Sequence, residues 1–198
     1  EDLAGGVDVT TVATVPADHR SVLDLVSHAD GVVAGVPVAR LAFEVVAESG
    51  ESIDCRARVD DGSVVSAGTV VLSATGSTRD LLTAERTALN LLGHMSGVAT
   101  ATYAWATALG EGPTQVRDTR KTMPLMRSLE KYAVRCGGGV NHRMSLCDAA
   151  LVKDNHVVAA GGVAAAFAAV RAAFPGIPVE VEVDSLDQLD EVVDAGAQ

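Results

Sequence analysis

From about residue 114 the sequence repeats one unit, a short apolar run followed by a helical pattern, and this repeat restricts the fold more than any other feature. Residues 114–117 read as a short strand. A helix opened by Pro124 and Leu125 then runs to Cys136, where Gly137-Gly138-Gly139 stops it. Residues 149–152 form a strand without alternation, as expected when both faces are buried. A helix follows, interrupted at Gly161-Gly162 and ended by Phe174-Pro175-Gly176; residues 178–183 are a third strand and 186–193 a third helix. Strand and helix alternating at this spacing predict parallel βα units. The pattern alone leaves open whether they close a barrel or form an open sheet.

The preceding part is organised differently. Residues 23–27 read as a strand, 31–35 as a turn and 36–46 as a helix with Val38, Leu41, Ala42 and Val45 facing inward. Between 53 and 59, Ile53, Cys55, Ala57 and Val59 alternate with Asp54, Arg56 and Arg58, the signature of a half-buried strand. Asp61-Gly62 marks a turn, and 69–74 a second strand. Ser77 or Thr78 caps a helix whose Leu82, Leu89 and Leu92 share a buried face, with Met95 close by. A further helix spans 99–109, ended by Gly110, Gly112 and Pro113. The expected fold is therefore α/β, with a small α+β layer first and parallel βα units after it.

The 198 residues suffice for one good core, or for a small domain joined to part of a larger one. Nearly half the residues are apolar, which is enough to fold. Cys55, Cys136 and Cys147 are odd in number and include no C-x-x-C pair, which argues against a disulfide framework or zinc site and for a reducing cytosol. Cys136 and Cys147 read as small buried side chains rather than nucleophiles. The apolar run 157–170 is too short to cross a bilayer. The chain begins with Glu1 rather than Met, and residues 195–198 fall just past a helical pattern. Both ends read as cut, so an incomplete domain is expected.

A net charge of −11 argues against a nucleic-acid coat, and aromatic residues for a base-stacking platform are scarce. The charge is also uneven. From 117 to 153 stand eight bases (Arg117, Arg120, Lys121, Arg127, Lys131, Arg135, Arg143, Lys153) and three acids (Asp118, Glu130, Asp148), giving +5 and leaving −16 elsewhere. Arg127, Lys131 and Arg135 step by four along a helix, with Glu130 nearby, and are accounted for by a solvated face. Arg120, Lys121, Arg143 and Lys153 sit at element ends and point to a site for a compact anion.

Parallel βα folds bind ligands at the carboxyl ends of their strands. There the sequence places Asp118-Thr119-Arg120-Lys121-Thr122, then Lys153-Asp154-Asn155-His156, then Glu180, Glu182 and Asp184, with Asn141-His142-Arg143 leading into the second strand. Arginine holds carboxylates with two parallel hydrogen bonds, and lysine supplies a point charge. Carboxylates on the same rim would repel an anion unless a cation bridges them, which suggests a phosphate substrate carrying Mg2+. Walker A, G-x-G-x-x-G and H-E-x-x-H motifs are absent.

LLTAERTALNLLGHMSGVAT (residues 81–100), RDTRKTMPLMRSLEKYAVRCGGGVNHRMSLCDAALVKDNH (117–156) and VEVEVDS (179–185) resemble the quinolinate phosphoribosyltransferase family, as do DVTT (8–11) and GVVAG (31–35). The likeness spans essentially the whole chain in the expected order. It implies an amino-terminal α/β sandwich domain (residues 1–98) and an incomplete parallel α/β barrel (residues 99–198). It also implies a homodimer with a shared site, and a cytoplasmic enzyme of NAD biosynthesis. The implied reaction converts quinolinate and phosphoribosyl pyrophosphate, with Mg2+, to nicotinate mononucleotide, pyrophosphate and carbon dioxide.

By motif, Arg86 resembles the arginine that reaches into the neighbouring subunit's site. Arg120, His142, Arg143 and Lys153 resemble the quinolinate-binding set, with Asp154 and Asn155 as further candidates. Lys121 resembles the catalytic lysine between the two substrates, and Glu182 a carboxylate on the ribose or magnesium side. Glu180 is an equal choice on spacing, and His94 and His156 read as structural. The family's remaining barrel strands and its amino-terminal helix are expected beyond the two ends. Competing readings are a related phosphoribosyltransferase acting on nicotinate or another pyridine, and a truncated binding or assembly module without catalysis.

Overall fold

The structure, a computed structural model, describes residues 2–47 and 52–197; Glu1 and Gln198, the ends read as cut, lie outside the described residues. The chain divides into two compact units, Glu1–Asn141 and His142–Gln198.

In the first unit a short helix α1 (Val9–Thr14), capped by the Asp8 carboxylate, leads to β1 (Arg20–Val26), β2 (Gly31–Val32), α2 (Val36–Ala47), β3 (Asp54–Ala57), β4 (Val64–Val65) and β5 (Val70–Ser77). Then come the long α3 (Thr78–Leu109) and α4 (Arg127–Cys136). β1, β5 and β3 form an antiparallel sheet in that order, and β2 pairs with β4. Register aligns Leu25 with Leu72, Leu23 with Ala74, and Cys55 with Ala74, so one face is apolar and packs on α2 and α3. On the opposite face Ser73 donates to Asp24 and accepts from Arg58 Nε.

Helix α3 serves two cores. Leu81, Ala84, Ala88 and Leu92 join the sheet core around Phe43, and Met95 and Ala99 join Val32, Ala34 and Ala133. Its Ser96 and Thr100 hydroxyls accept from Ala34 N and Val32 N, satisfying backbone that the short β2 leaves unpaired. Residues 78–109, expected as two helices, are thus one helix running through the expected boundary at 98/99, since Gly93 and Gly97 cost propensity but break no hydrogen bond.

The inward faces of α2 and α3 differ from expectation. Val36, Ala39 and Phe43 are buried, whereas Leu41 and Val45 are 54% and 57% exposed; on α3 Leu81 is buried and Leu82 is turned outward. Both helices are apolar around much of their circumference, so periodicity does not fix the face and packing against the sheet does. Residues 31–35, expected as a turn, contribute β2. The strand expected at 114–117 is a single parallel bridge between Arg117 and Val140. Helix α4 begins at Arg127 rather than Pro124, because Leu125 lies at φ 67°, outside helical space.

In the second unit β6 (Ala150–Val152) and β7 (Val179–Val181) pair in parallel, joined through α5 (Asp154–Ala160) and α6 (Val163–Ala173) and followed by α7 (Leu186–Asp194). Gly161 and Gly162 take positive φ, and the axis turns by 88° between α5 and α6. Val179, Val181 and Val183 pack with Val163, Phe167 and Val192. Alternation sends Glu180 and Glu182 to the other face of the sheet. Among the described residues no single helix is long and apolar enough to cross a membrane.

Candidate active site

Arg120 and Lys121 sit on a loop that α4 grips at both ends. At its start Asp118 N donates to Val140 O (3.1 Å), and the Asp118 carboxylate pairs with Lys131 and accepts from Asn141 Nδ2 (2.6 Å). At its far end Arg127 Nε donates to Thr122 Oγ1 (3.1 Å), and Glu130 accepts from Met123 N (3.3 Å) while holding His94 at 2.9 Å. Thr119 Oγ1 accepts from Lys121 N, turning the loop between these anchors. Of the bases on α4, expected to face solvent, Lys131 is instead buried, Arg127 is half-buried and Arg135 is exposed. Lys131 is 1% exposed, and Arg135 bonds Asn141 Oδ1 (2.5 Å) and lies over the Tyr132 ring. Small residues allow α4 to end against α3: a Cβ on Gly137 would stand 2.3 Å from Ala99 O, and Gly138 adopts φ 84°.

In the second unit, cations and carboxylates meet at the strand ends. Lys153 follows β6 and Glu182 follows β7; the backbone bond from Glu182 N to Val152 O (2.9 Å) holds them side by side, and Lys153 Nζ reaches Glu182 Oε2 at 2.8 Å. One step back on the same face of β7, Glu180 Oε2 contacts His142 Nε2 at 2.6 Å. Spacing leaves Glu180 and Glu182 equivalent; the structure gives each its own partner, His142 for Glu180 and Lys153 for Glu182. Arg143 is fixed by a bond from one guanidinium nitrogen to Ala149 O (2.7 Å). The turn that follows is closed by Asp148, which accepts from Met144 N, Ser145 N and the Ser145 hydroxyl. The Ser145 bonds hold the Asp148 carboxyl below the usual carboxylate range.

Among the described residues, the buried side-chain nitrogen or oxygen atoms without a partner are two: Arg120 Nε and Arg143 Nε. Buried donors left unpaired are uncommon and costly, and such atoms mark places where an acceptor belongs. Both fall in the set that the sequence proposes for anion binding.

Other expected residues stand apart from these pairs. Arg86 is exposed on α3 with no hydrogen bond or ion pair among the described residues. Asp154 and Asn155 are exposed in the first turn of α5, where Asp154 Oδ1 accepts from Asn155 N. His156 caps that helix by accepting from Lys153 N, and His94 serves Glu130, as fits two structural histidines. Sequence reasoning missed Lys131, Asp118 and Asn141 as a buried network. A usable signal was present: Asp118, Glu130 and Asp148 are the acids of a basic segment, and each is an internal acceptor. Among the described residues no three His, Cys, Asp or Glu side chains gather to hold a metal ion.

Comparison with known proteins gives a consistent result. The amino-terminal domain profile of the quinolinate phosphoribosyl transferases matches residues 8–96, and their carboxy-terminal domain profile matches residues 98–198. A nicotinate-nucleotide pyrophosphorylase [carboxylating] from Mycobacterium leprae is 53% identical over 194 residues, covering 98% of this chain and 68% of the relative. A quinolinate phosphoribosyltransferase [decarboxylating] from Nicotiana tabacum is 38% identical, covering 100% of this chain and 56% of the relative. Among solved structures, NadC from Streptococcus pyogenes superposes with a TM-score of 0.92 at 41% identity, over 99% of this chain and 69% of that one. The expected fold class, an α/β sandwich followed by part of an α/β barrel, is the one shared with these structures.

Proposed function

Because this chain belongs to the quinolinate phosphoribosyl transferase family, we propose that it serves phosphoribosyl transfer from phosphoribosyl pyrophosphate to quinolinate with decarboxylation, a step of NAD biosynthesis. The products are nicotinate mononucleotide, pyrophosphate and carbon dioxide. The observation that carries the substrate reading is the pair of unpartnered buried donors on Arg120 and Arg143. A carboxylate would offer each of these guanidinium groups, one in either unit, the acceptor that its Nε lacks.

In this reading Arg120, His142, Arg143 and Lys153 bind quinolinate, with Asp154 and Asn155 at the edge of the set. His142 and Lys153 are held ready by Glu180 and Glu182, and the incoming dianion takes over part of that pairing. The pyridine nitrogen attacks the anomeric carbon as the bond to pyrophosphate breaks, and positive charge develops on the ribose ring. Catalysis here is mainly positioning and electrostatics. Lys121 lies between the substrates and stabilises the leaving oxygen, while Glu182 faces the cationic ribose. The alkylated ring then accepts the electron pair released when the adjacent carboxylate departs as carbon dioxide, and a proton replaces it.

Magnesium fits this donor set as a companion of the substrate: it is commonly held by one or two carboxylates and phosphate oxygens. Glu182 would hold it, and when bound it would neutralise charge on the departing pyrophosphate. A homodimer with a shared site is part of the same proposal. Its support is the exposed Arg86 on α3, with no hydrogen bond or ion pair among the described residues, and the exposed apolar Leu41 and Val45 on α2. Three free cysteines support a cytoplasmic setting.

The test is pyrophosphate release from quinolinate and phosphoribosyl pyrophosphate with Mg2+. Arg120→Ala should lower kcat/KM by about 10²- to 10³-fold. Undiminished turnover in that variant, or equal turnover with nicotinate in the parent, removes the substrate assignment.

A further inference from the structure

Three side chains of α4 grip the loop carrying Arg120 and Lys121, and of these Lys131 stands out. It is 1% exposed, and its partner Asp118 is 7% exposed. A lysine at this depth is costly to desolvate, and packing does not require it, since a buried ion pair is often replaceable by apolar side chains of similar volume. What an apolar side chain could not do is fix the Asp118 carboxylate. One oxygen of that carboxylate meets Lys131 Nζ, and the other accepts from Asn141 Nδ2. Asn141 is itself locked: the same Nδ2 also lies 2.8 Å from Lys131 O, and its Oδ1 accepts from Arg135. Backbone bonds from Asp118 N to Val140 O and from Val140 N to Val116 O tie the same two segments together. Asp118 immediately precedes Thr119-Arg120-Lys121, and Asn141 immediately precedes His142-Arg143.

We propose that Lys131, acting through Asp118 and Asn141, is a positioning residue for quinolinate recognition: it fixes the backbone from which the ligand-binding cations depart. The inference rests on the substrate reading above. Lys131 itself does not touch the ligand; its ammonium is occupied by Asp118. Its effect is on where Arg120 and Lys121 are presented, and a misplacement of about 1 Å can cost on the order of 100-fold in such sites.

The experiment measures quinolinate and phosphoribosyl pyrophosphate dissociation constants by calorimetry, together with the unfolding midpoint. It compares the parent chain with Lys131→Met, Asp118→Asn and the double variant Lys131→Met/Asp118→Leu. Each variant should weaken quinolinate by about tenfold or more, and phosphoribosyl pyrophosphate, which shares only Lys121 with this loop, by less. The double variant removes both buried charges and should regain stability relative to Lys131→Met, yet still bind quinolinate weakly. If the double variant recovers parent-like quinolinate binding along with its stability, the pair is only structural and the inference is overturned. If the methionine variants do not fold, Lys131→Arg carries the comparison: it keeps the charge on a wider, planar head. Weakening of quinolinate beyond that of phosphoribosyl pyrophosphate supports the proposal, and unchanged quinolinate binding overturns it. A parent chain that binds no quinolinate overturns the substrate reading and this inference with it, whereas parent-like variants overturn the inference alone.

Discussion

Tyr132 shows how much a single side chain can tie together. Its hydroxyl donates to Asp61 Oδ2 at 2.8 Å, and the same carboxylate accepts from Gly35 N and Val36 N at the start of α2. Burial, and after it the Asp61 bond, pushes the Tyr132 phenol well above its usual range. Folding thus favours the neutral phenol. Its contribution is complete below the unfolded tyrosine value of about 10 and is lost as pH rises above that through the raised folded value. Tyr132→Phe should cost about 2 kcal/mol at neutral pH, and its stability should fall less than the parent's between about pH 9 and 11. Denaturant midpoints across that range measure both effects; parallel pH slopes would contradict the assignment. Asp61 could not be read in this role from sequence, because its partner is 71 residues away and no local pattern records it; for Lys131, 13 residues from Asp118, the few acids of the basic segment were the one clue. Arg120, Arg143 and Lys153 were legible as candidates because cationic residues at element ends match the chemistry of an anion site, whereas His142 and Glu182 were legible only through the family motifs.

Among the elements, α3 and α4 meet through glycine. A Cβ at Gly137 would stand 2.3 Å from Ala99 O and 2.7 Å from Thr102 Cβ, both on α3, and backbone cannot yield as a side-chain tip can. Gly137→Ala should therefore destabilise by about 3 kcal/mol. Gly97, inside α3 with nothing near its hypothetical Cβ, gives the control: Gly97→Ala should stabilise by about 0.5–1 kcal/mol. Chemical denaturation separates the two, and equal effects would mean that the helix contact is looser than described. Helix existence and approximate span followed from periodicity, and the glycine run correctly marked the end of α4. The merging of residues 78–109 into one helix did not follow, since glycine lowers propensity without deciding continuity. Nor did the inward faces of α2 and α3, where apolar residues surround the axis and only the packing partner selects a side.

At the scale of the whole molecule, the proposed dimer makes a quantitative statement. If Arg86 serves the neighbouring subunit's site, Arg86→Ala and Arg120→Ala preparations, each inactive, should recover activity when unfolded and refolded together in equal amounts. Random pairing leaves one intact site in each mixed dimer, so about a quarter of parent activity is expected. No recovery would place Arg86 in its own subunit's site or outside any site. The sequence by itself determined the class of architecture, because alternating strand and helix patterns bury their apolar faces only as parallel βα units. It also located the basic segment and the motifs that mark the family. The tertiary structure decided which charges are available. Lys131, Asp118 and Glu130 are consumed internally, while Arg120 and Arg143 keep buried donors unfilled. The physical reason is that pairing of charges depends on distance through space, and a chain's charge pattern specifies only distance along it.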